Sequence, residues 1–232
     1  KNFKCFAGKP LFHWILDKLL TCDLIDQVVI NTDAEDHLIK NGLELSAKIL
    51  VRHRKPELCG DYVSMNSIIA DDLANVEADT YLMTHTTNPL LSINTIMKAI
   101  IAYQNGLELG HSDSLFSVNR VQTRFYKADG SPVNHDPSNL IRTQDLEPWF
   151  EENSNLYIFS SALPKYRLLF YHYDRHPHFR HGIIYHDLEH QQSKQYIKYF
   201  LDAYIYSISD PDSNLRLHPL LNLLPLVLFI SL

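Results

Sequence analysis

An amphipathic helix followed directly by a buried strand constrains the fold of this chain more than any other feature. After Pro10, apolar residues recur at spacings of three and four, with Asp17 and Lys18 on the opposite side. This spacing predicts a helix, and proline suits its first turn because no amide hydrogen is needed there. The run 27–31 (QVVIN) has the continuous apolar character of a parallel strand buried on both faces. Together they predict half of a doubly wound α/β domain.

Length, charge and cysteine content limit the classes of protein. With 232 residues, the chain is long enough for one domain with a sizeable core. The net charge of -6 argues against a general nucleic-acid-binding surface, although a local cationic pocket is compatible with it. The three cysteines, an odd number without metal-ligand spacing, predict a reduced intracellular protein. No apolar run is long enough to span a bilayer, so neither nucleic acid nor a membrane is expected as a partner.

Several blocks of sequence occur in the order found in one enzyme family. They are KN at 1–2, AGKPL at 7–11, VVINTD at 28–33, RKPELCGD at 54–61, THTTNPLL at 84–91, SLFSV at 114–118 and RTQDLEPWFEENSNLYIF at 142–159. In this order they resemble the acylneuraminate cytidylyltransferase family, which makes CMP-sialic acid and related CMP-sugars. The resemblance covers residues 1 to about 160. It implies a three-layer α/β/α domain of the nucleotide-diphospho-sugar-transferase type, with a mostly parallel sheet.

The resemblance also implies a reaction, a cofactor and a partner. The anomeric hydroxyl of an acidic 2-keto sugar attacks the α-phosphorus of CTP and pyrophosphate leaves, helped by Mg²⁺, in sugar nucleotide biosynthesis. Members of the family are expected to be cytoplasmic homodimers. Whether a targeting segment precedes Lys1 in the full protein is left open. In the family, a loop bearing glycine and lysine wraps the triphosphate, and only its last two residues remain here. We therefore expect little or no turnover from the chain as it stands; a non-catalytic homologue that binds nucleotide or sugar is the alternative.

Ligands of such a sheet bind beyond the carboxyl ends of its strands, where polar residues of this chain collect. A nucleotide needs cations or amide groups for its phosphates and fixed polar groups for its base and ribose. The residues expected to bind CTP are Lys1, Asn2, Arg54, Ser64 and Asn66, and those expected to act in catalysis are Lys1, Asn2 and Arg142. Taken singly, each has an ordinary structural explanation, such as a solvated Arg-Lys face or a helix cap.

By resemblance, the sugar is expected to contact the turn after the strand at 80–84 and the block 142–159. Arg142 is suited to bidentate contact with a carboxylate, and Tyr157 to packing against the ring. The expected sugar-binding residues are His85, Asn88, Arg142, Gln144, Asp145, Asn153 and Tyr157. The alternative is that Asp145 only shapes a turn and that Tyr157 belongs to the core.

Two positions depart from the family pattern. His85 stands where sialic acid enzymes usually carry a glutamine that reads the substrate, and Glu151 stands where they usually carry an arginine. The second change reverses the charge offered to an acidic sugar. A related nonulosonic or deoxy sugar acid, or a different sugar class, therefore stays open beside sialic acid.

The family pattern fades after Phe159. The predicted domain covers residues 1–190, and residues 191–232 are predicted to be a divergent apolar tail. By spacing, the expected magnesium ligands are Asp187 and Glu189, with Asp210 and Asp212 as a second candidate pair. The segment 172–190 contains six histidines, some at metal-ligand spacing, so a metal-binding protein is a third possible function.

Overall fold

The computed structural model describes residues 2–110, 112–160, 183–186 and 226–231. Helices and strands alternate through most of the described chain, as the sequence predicts. The helices are α1 Leu11–Leu20, α2 Glu35–Lys40, α3 Met65–Asn75 and α4 Ile93–Glu108. The strands are β1 Cys5–Phe6, β2 Lys9–Pro10, β3 Gln27–Thr32, β4 Ile49–His53, β5 Thr80–His85, β6 Ser114–Val121, β7 Trp149–Ser160, β8 Ile183–His186 and β9 Leu226–Ser231.

The described strands β3 to β9 form one sheet in the order β4-β3-β9-β5-β7-β6-β8, and β1 and β2 form a separate antiparallel pair. Within this sheet β7 runs antiparallel to both of its neighbours, and the other described pairings are parallel. The predicted α/β class with a mostly parallel sheet is therefore confirmed. Because parallel strands end at the same edge, the carboxyl ends of β4 and β3 lie side by side, and that of β5 lies at the same edge with β9 between it and β3.

Helices cover both faces of the sheet. Val28 and Ile30 of β3 lie in a core cluster with residues of α1 and α4. Val29, between them, lies in a second cluster with Ile69 of α3. Successive side chains of a strand point to opposite faces, so β3 is buried from both sides, as its continuous apolar run predicts.

The strand β9 falls inside the stretch predicted to be a divergent tail. It lies between β3 and β5 and runs parallel to both, with Leu228 opposite Val28 on one side and Leu82 on the other. Residues 226–231 thus share a sheet with the first half of the chain, whereas the boundary at residue 190 stays a prediction. Among the described helices, none has the length and apolar character needed to cross a membrane.

Candidate functional site

Arg54 lies just beyond β4 and is held against the end of β3. Its Nε donates to Asn31 Oδ1 at 2.8 Å, and its Nη2 donates to the Asn31 carbonyl oxygen at 2.7 Å. The Arg54 backbone N–H also donates to the Thr32 carbonyl at 2.8 Å, which continues the strand pairing by one residue. Two guanidinium nitrogens and the backbone therefore fix this arginine at the carboxyl ends of β3 and β4, where a ligand of this fold class binds.

The neighbouring cations Arg52 and Lys55 are neutralised by two carboxylates of α3. Arg52 Nη2 pairs with Asp71 Oδ2 at 2.9 Å and its Nη1 pairs with Asp72 Oδ1, while Lys55 Nζ pairs with Asp71 Oδ1 at 2.5 Å. The Arg52 side chain is only 14% exposed, whereas that of Lys55 is 52% exposed, so only the lysine of this cluster lies on a solvated face. Arg52 and Lys55 thus pair with carboxylates, and the described side-chain contacts of Arg54 include two oxygens of Asn31.

The pKa values of these two carboxyl groups shift in opposite directions. Burial raises the pKa of Asp72 above its usual range, although the hydrogen bond from Asn31 and the nearby Arg52 guanidinium work against this shift. The hydrogen bond from Lys55 lowers the pKa of Asp71, assisted by Arg52. Neither aspartate was expected in the site from the sequence. Both follow an apolar run on α3, and no local signal marks them as partners of β3 and β4.

Ser64 and Asn66 lie at the start of α3. The Ser64 hydroxyl accepts a hydrogen bond from the Asn66 backbone N–H at 3.2 Å, so it caps the helix. The side-chain oxygen of Asn66 is buried and has no hydrogen-bond partner within the described part of the chain. An unpaired buried acceptor is costly, so a donor from a ligand would relieve it. Asn66 therefore has an acceptor available to a ligand, whereas Ser64 already has a structural role, and CTP binding by either residue stays a prediction.

Asn2 is tied to the turn that follows β5. Its side-chain oxygen accepts a hydrogen bond from the buried Thr86 hydroxyl at 2.8 Å, and its carbonyl accepts one from the Phe12 backbone N–H at 3.1 Å. These contacts join the N-terminal residues to the β5 end of the sheet edge. Lys1, which precedes Asn2, lies outside the described residues.

The same turn contacts β7 across the sheet edge. Asn88 Nδ2 donates to the Ser154 carbonyl at 3.2 Å, and Thr84 Oγ1 donates to the Asn155 carbonyl at 2.7 Å. A cavity of about 260 Å³ lies here, lined by Phe6, Thr87, Asn88, Pro89, Leu90, Leu91 and Asn155. His85, at the end of β5, has its pKa lowered by burial, so its neutral form is favoured. Asn88 therefore lies beside an open cavity, as expected for a substrate-binding residue.

The expected sugar-binding residues of 142–157 do not share one environment. Arg142 and Asp145 form a bidentate ion pair with each other, with Nε–Oδ2 at 2.6 Å and Nη2–Oδ1 at 3.1 Å. Gln144 is exposed beside them, and its carbonyl accepts from Gln122 Nε2 at 2.9 Å. Tyr157 is 2% exposed and packs in the second core cluster, with its hydroxyl bonded to Glu152 and to Ser154. The placement of Tyr157 matches the core alternative, and Asp145 does shape a turn.

Asn153 and Glu151 belong to a hydrogen-bonded network between β6 and β7. Asn153 Oδ1 accepts from the Ser117 hydroxyl at 2.6 Å, and its Nδ2 donates to Asn119 Oδ1 at 3.1 Å. Asn119 Nδ2 in turn donates to Glu151 Oε2 at 3.3 Å. The network lies where the β6–β7 register shifts, and such irregularities re-aim side chains near functional sites. Glu151 is thus held at the end of the sheet that carries Asn88.

The expected metal ligands cannot be placed. Asp187, Glu189, Asp210 and Asp212 lie outside the described residues, as does the histidine segment apart from His186. Within the ranges that the structure does describe, no group of three or more His, Cys, Asp or Glu side chains could hold a metal ion. The carboxylates of Asp71 and Asp72 are already paired with Arg52 and Lys55. The described residues therefore provide no fit for Mg²⁺, and its ligands stay a prediction.

Comparison with known proteins finds one family and several relatives. A model of the family described as "Cytidylyltransferase" matches residues 1–215. An N-acylneuraminate cytidylyltransferase of Oncorhynchus mykiss is 30% identical over 174 residues, which is 70% of this chain and 38% of that protein. An N-acylneuraminate cytidylyltransferase A of Danio rerio is 28% identical over 178 residues, 73% of this chain and 40% of that protein. The chain spans about two fifths of the length of these relatives.

A solved structure shares the fold. The 4-diphosphocytidyl-2C-methyl-D-erythritol synthase of Anaerococcus prevotii DSM 20548 superimposes with a TM-score of 0.53. The alignment covers 87% of this chain and 88% of that one, at 15% sequence identity. At this identity the likeness supports the three-layer α/β/α fold alone.

Proposed function

The chain belongs to the cytidylyltransferase family of nucleotidyltransferases, and from this premise we propose that the protein transfers CMP from CTP to an acidic 2-keto sugar. The sugar's anomeric oxygen forms a bond to the α-phosphorus, the bond from that phosphorus to the bridging oxygen breaks, and pyrophosphate leaves. The hydroxyl proton passes to solvent or to a base. The observation that carries the proposal is that Arg54 and Asn2 both lie at the edge of the sheet where its parallel strands end, Arg54 beside β3 and β4 and Asn2 beside the turn after β5.

The residues at the β3–β4 end are suited to the nucleotide. Arg54 has a guanidinium that is held in place at its base, and such a group recognises phosphate oxygens by charge and by paired N–H donors. The buried acceptor of Asn66 is suited to an amino group, such as that of a cytosine, or to a ribose hydroxyl. Phosphoryl transfer requires little covalent chemistry from a protein, so the main requirement is that the triphosphate be held in a fixed position.

The residues at the β5–β7 end are suited to the sugar. The cavity beside Asn88 combines apolar walls with amide groups, which matches a sugar with hydroxyl and acyl substituents. We also propose that Arg142 acts in catalysis and binds the sugar carboxylate. The Arg142 guanidinium then has to exchange its present partner, Asp145, for that carboxylate. No step is assigned to Mg²⁺, because the described residues do not fit it.

Glu151 bears on which sugar is used. Its carboxylate lies at the sugar end, held by Asn119, and it repels an anionic substrate. We therefore propose that the substrate is either a sugar acid, sialic acid or a related nonulosonic or deoxy sugar acid, whose carboxylate is held away from Glu151, or a sugar of a different class. Glu151→Arg is expected to lower KM for sialic acid, while Glu151→Gln serves as the charge-neutral control.

The experiment is to mix the protein with CTP, Mg²⁺ and a panel of 2-keto sugar acids and to follow pyrophosphate release. Release that requires both CTP and one of the sugars supports the proposal. Binding of CTP without release for any sugar would instead support a non-catalytic homologue. If the protein binds no CTP, the nucleotide site itself is refuted.

A homodimer is also proposed, from the apolar surface near the start of β7. The exposed large side chains there are Leu140, Ile141, Trp149 and Phe150, with exposures of 65%, 42%, 40% and 48%. Exposed large apolar side chains close together in the sequence are often part of interaction sites, and the second copy is the proposed partner. Light scattering coupled to gel filtration checks this: Trp149→Glu should convert a dimer to a monomer, and a monomeric wild-type protein would contradict the proposal.

A further inference from the structure

Asn31 is a buried polar residue between the core and Arg54. It is 1% exposed and lies at the end of β3, with Asp72 of α3 on one side and Arg54 on the other. Its Nδ2 donates to Asp72 Oδ1 at 2.7 Å, while its Oδ1 accepts from Arg54 Nε at 2.8 Å. Both ends of one amide are therefore occupied.

The partners determine which way this amide points. An ionised carboxylate only accepts hydrogen bonds, so Asp72 must face the NH₂ end of Asn31. A guanidinium only donates, so Arg54 must face the oxygen end. The hydrogen-bond network thus orients an amide whose two ends look nearly alike by shape. Asp72 is itself held, because Arg52 Nη1 bonds to the same carboxylate and Asp72 is 2% exposed.

We infer that Asn31 and Asp72 are positioning residues that hold the Arg54 guanidinium in the orientation required by the triphosphate of CTP. The inference rests on the proposed function, since it names how that nucleotide site is built. Rigid placement matters because a phosphate ligand then does not have to order a long, flexible side chain on binding. A neutral amide is suited to this role because it anchors the cation without neutralising it, as a carboxylate at position 31 would do.

The chain offers a matched control for this inference. Asp71 precedes Asp72 on the same helix and also pairs with Arg52, yet the described hydrogen bonds of its carboxylate go to Arg52, Lys55 and Asn75 and none to Asn31. Asp71→Asn removes comparable ion pairs and leaves the Asp72–Asn31–Arg54 chain of contacts in place. Asp72→Asn removes the negative charge and replaces a group that only accepts by an amide that can turn either its oxygen or its NH₂ to Asn31, while the volume of the side chain is kept.

The test is a double-mutant cycle read by CTP binding in calorimetry. Asn31→Ser is expected to raise the Kd for CTP about tenfold, which corresponds to one lost charge-assisted hydrogen bond. Asp72→Asn should raise it several-fold and Asp71→Asn should barely change it. In an Arg54→Gln background, Asn31→Ser should have almost no further effect, because its contribution passes through Arg54. Cytidine, which has no phosphates, should bind all variants alike.

The outcomes separate a positioning role of Asn31 and Asp72 from a purely structural one. An equal loss of CTP affinity from Asn31→Ser with and without Arg54 would show a purely structural role and overturn the inference, as would equal effects of Asp71→Asn and Asp72→Asn. If wild-type protein binds no CTP, the proposed function fails and the inference fails with it. Circular dichroism checks folding, and Asp72→Asn replaces Asn31→Ser in the cycle if the serine variant does not fold.

Discussion

The sheet edge formed by the carboxyl ends of β3, β4 and β5 and the excursion at residues 122–148 hold their arginines in different ways. At the sheet edge, Arg54 is anchored by Asn31, which is 1% exposed and backed by a buried aspartate. In the excursion, Arg142 pairs with Asp145 three residues along the chain, with side-chain exposures of 72% and 43%. One arginine is positioned by the core of the fold, and the other by its own turn.

This difference indicates how each region can bind a ligand. Hydrogen bonds in a buried network strengthen one another and resist rearrangement, so the sheet edge is prepared for one ligand geometry. An exposed ion pair contributes little to stability and exchanges partners readily. The nucleotide end is thus expected to be rigid, and the sugar end to adapt its contacts when a sugar carboxylate arrives. The following predictions test that contrast.

The largest effect is expected from truncating leucines in the two regions. Leu82 in β5 is fully buried, whereas Leu140 in the excursion is 65% exposed. Leu82→Ala should lower the free energy of unfolding by about 2–5 kcal/mol, because it leaves a cavity in the core. Leu140→Ala should change it by no more than about 0.5 kcal/mol, as for most surface positions. Denaturant unfolding of both variants measures the difference. Similar losses of unfolding free energy would show that the sheet edge and the excursion do not differ in packing.

The second prediction compares the two arginines in nucleotide binding. Arg54→Gln should raise the Kd for CTP by about 10- to 100-fold, since it removes a charged phosphate contact and takes the guanidinium donor away from Asn31 Oδ1. Arg142→Gln should leave the Kd for CTP unchanged and raise KM for the sugar acid. Calorimetry with CTP and initial rates at varied sugar concentration measure the two effects. Equal effects of both variants on CTP binding would contradict the proposal that Arg54 binds the nucleotide and Arg142 binds the sugar.

Much of the sheet-edge geometry follows from the sequence, but its buried partners do not. The apolar run of β3 predicts a parallel strand, and a parallel strand places the residues at its end beside those of β4, so the position of Arg54 at this edge follows from the sequence, while its role in binding CTP stays a prediction. The Asn31–Asp72 contact joins residues 41 positions apart, and local periodicity carries no information on such a pair. Core packing decides that α3 presents Asp72 to β3. The same applies to Tyr157, whose type alone does not distinguish a ring that contacts ligand from one in the core.

The third prediction concerns the exposed ion pair itself. Asp145→Ala should shift Tm by less than about 2 °C, because an exposed ion pair is largely screened by solvent. It should nevertheless change KM for the sugar acid, since it frees the Arg142 guanidinium, and leave KM for CTP unchanged. Thermal melts and initial rates measure these quantities. A large loss of Tm would mean that the excursion depends on this pair, contrary to the proposed adaptability.

The smallest effect is expected in the pH dependence of stability, which separates the two regions by the pH at which they respond. At the sheet edge, burial lowers the pKa of His85 from its ordinary 6.5. The unfolded chain therefore binds a proton more readily than the folded protein, and stability present above pH 6.5 is lost as the pH falls toward the folded-state pKa.

In the excursion, the hydrogen bonds from Ser138 lower the pKa of Asp136 from 3.8. Its contribution is present above pH 3.8 and is lost only in stronger acid. As the pH falls from 6.5 to 5, the Tm of His85→Gln should thus fall less than that of wild type, whereas Asp136→Asn should have a slightly lower Tm than wild type above about pH 4 and lose this difference in stronger acid. Melting curves across this range measure both, and a His85→Gln profile parallel to wild type down to pH 5 would show that burial of His85 does not distinguish the edge from the excursion.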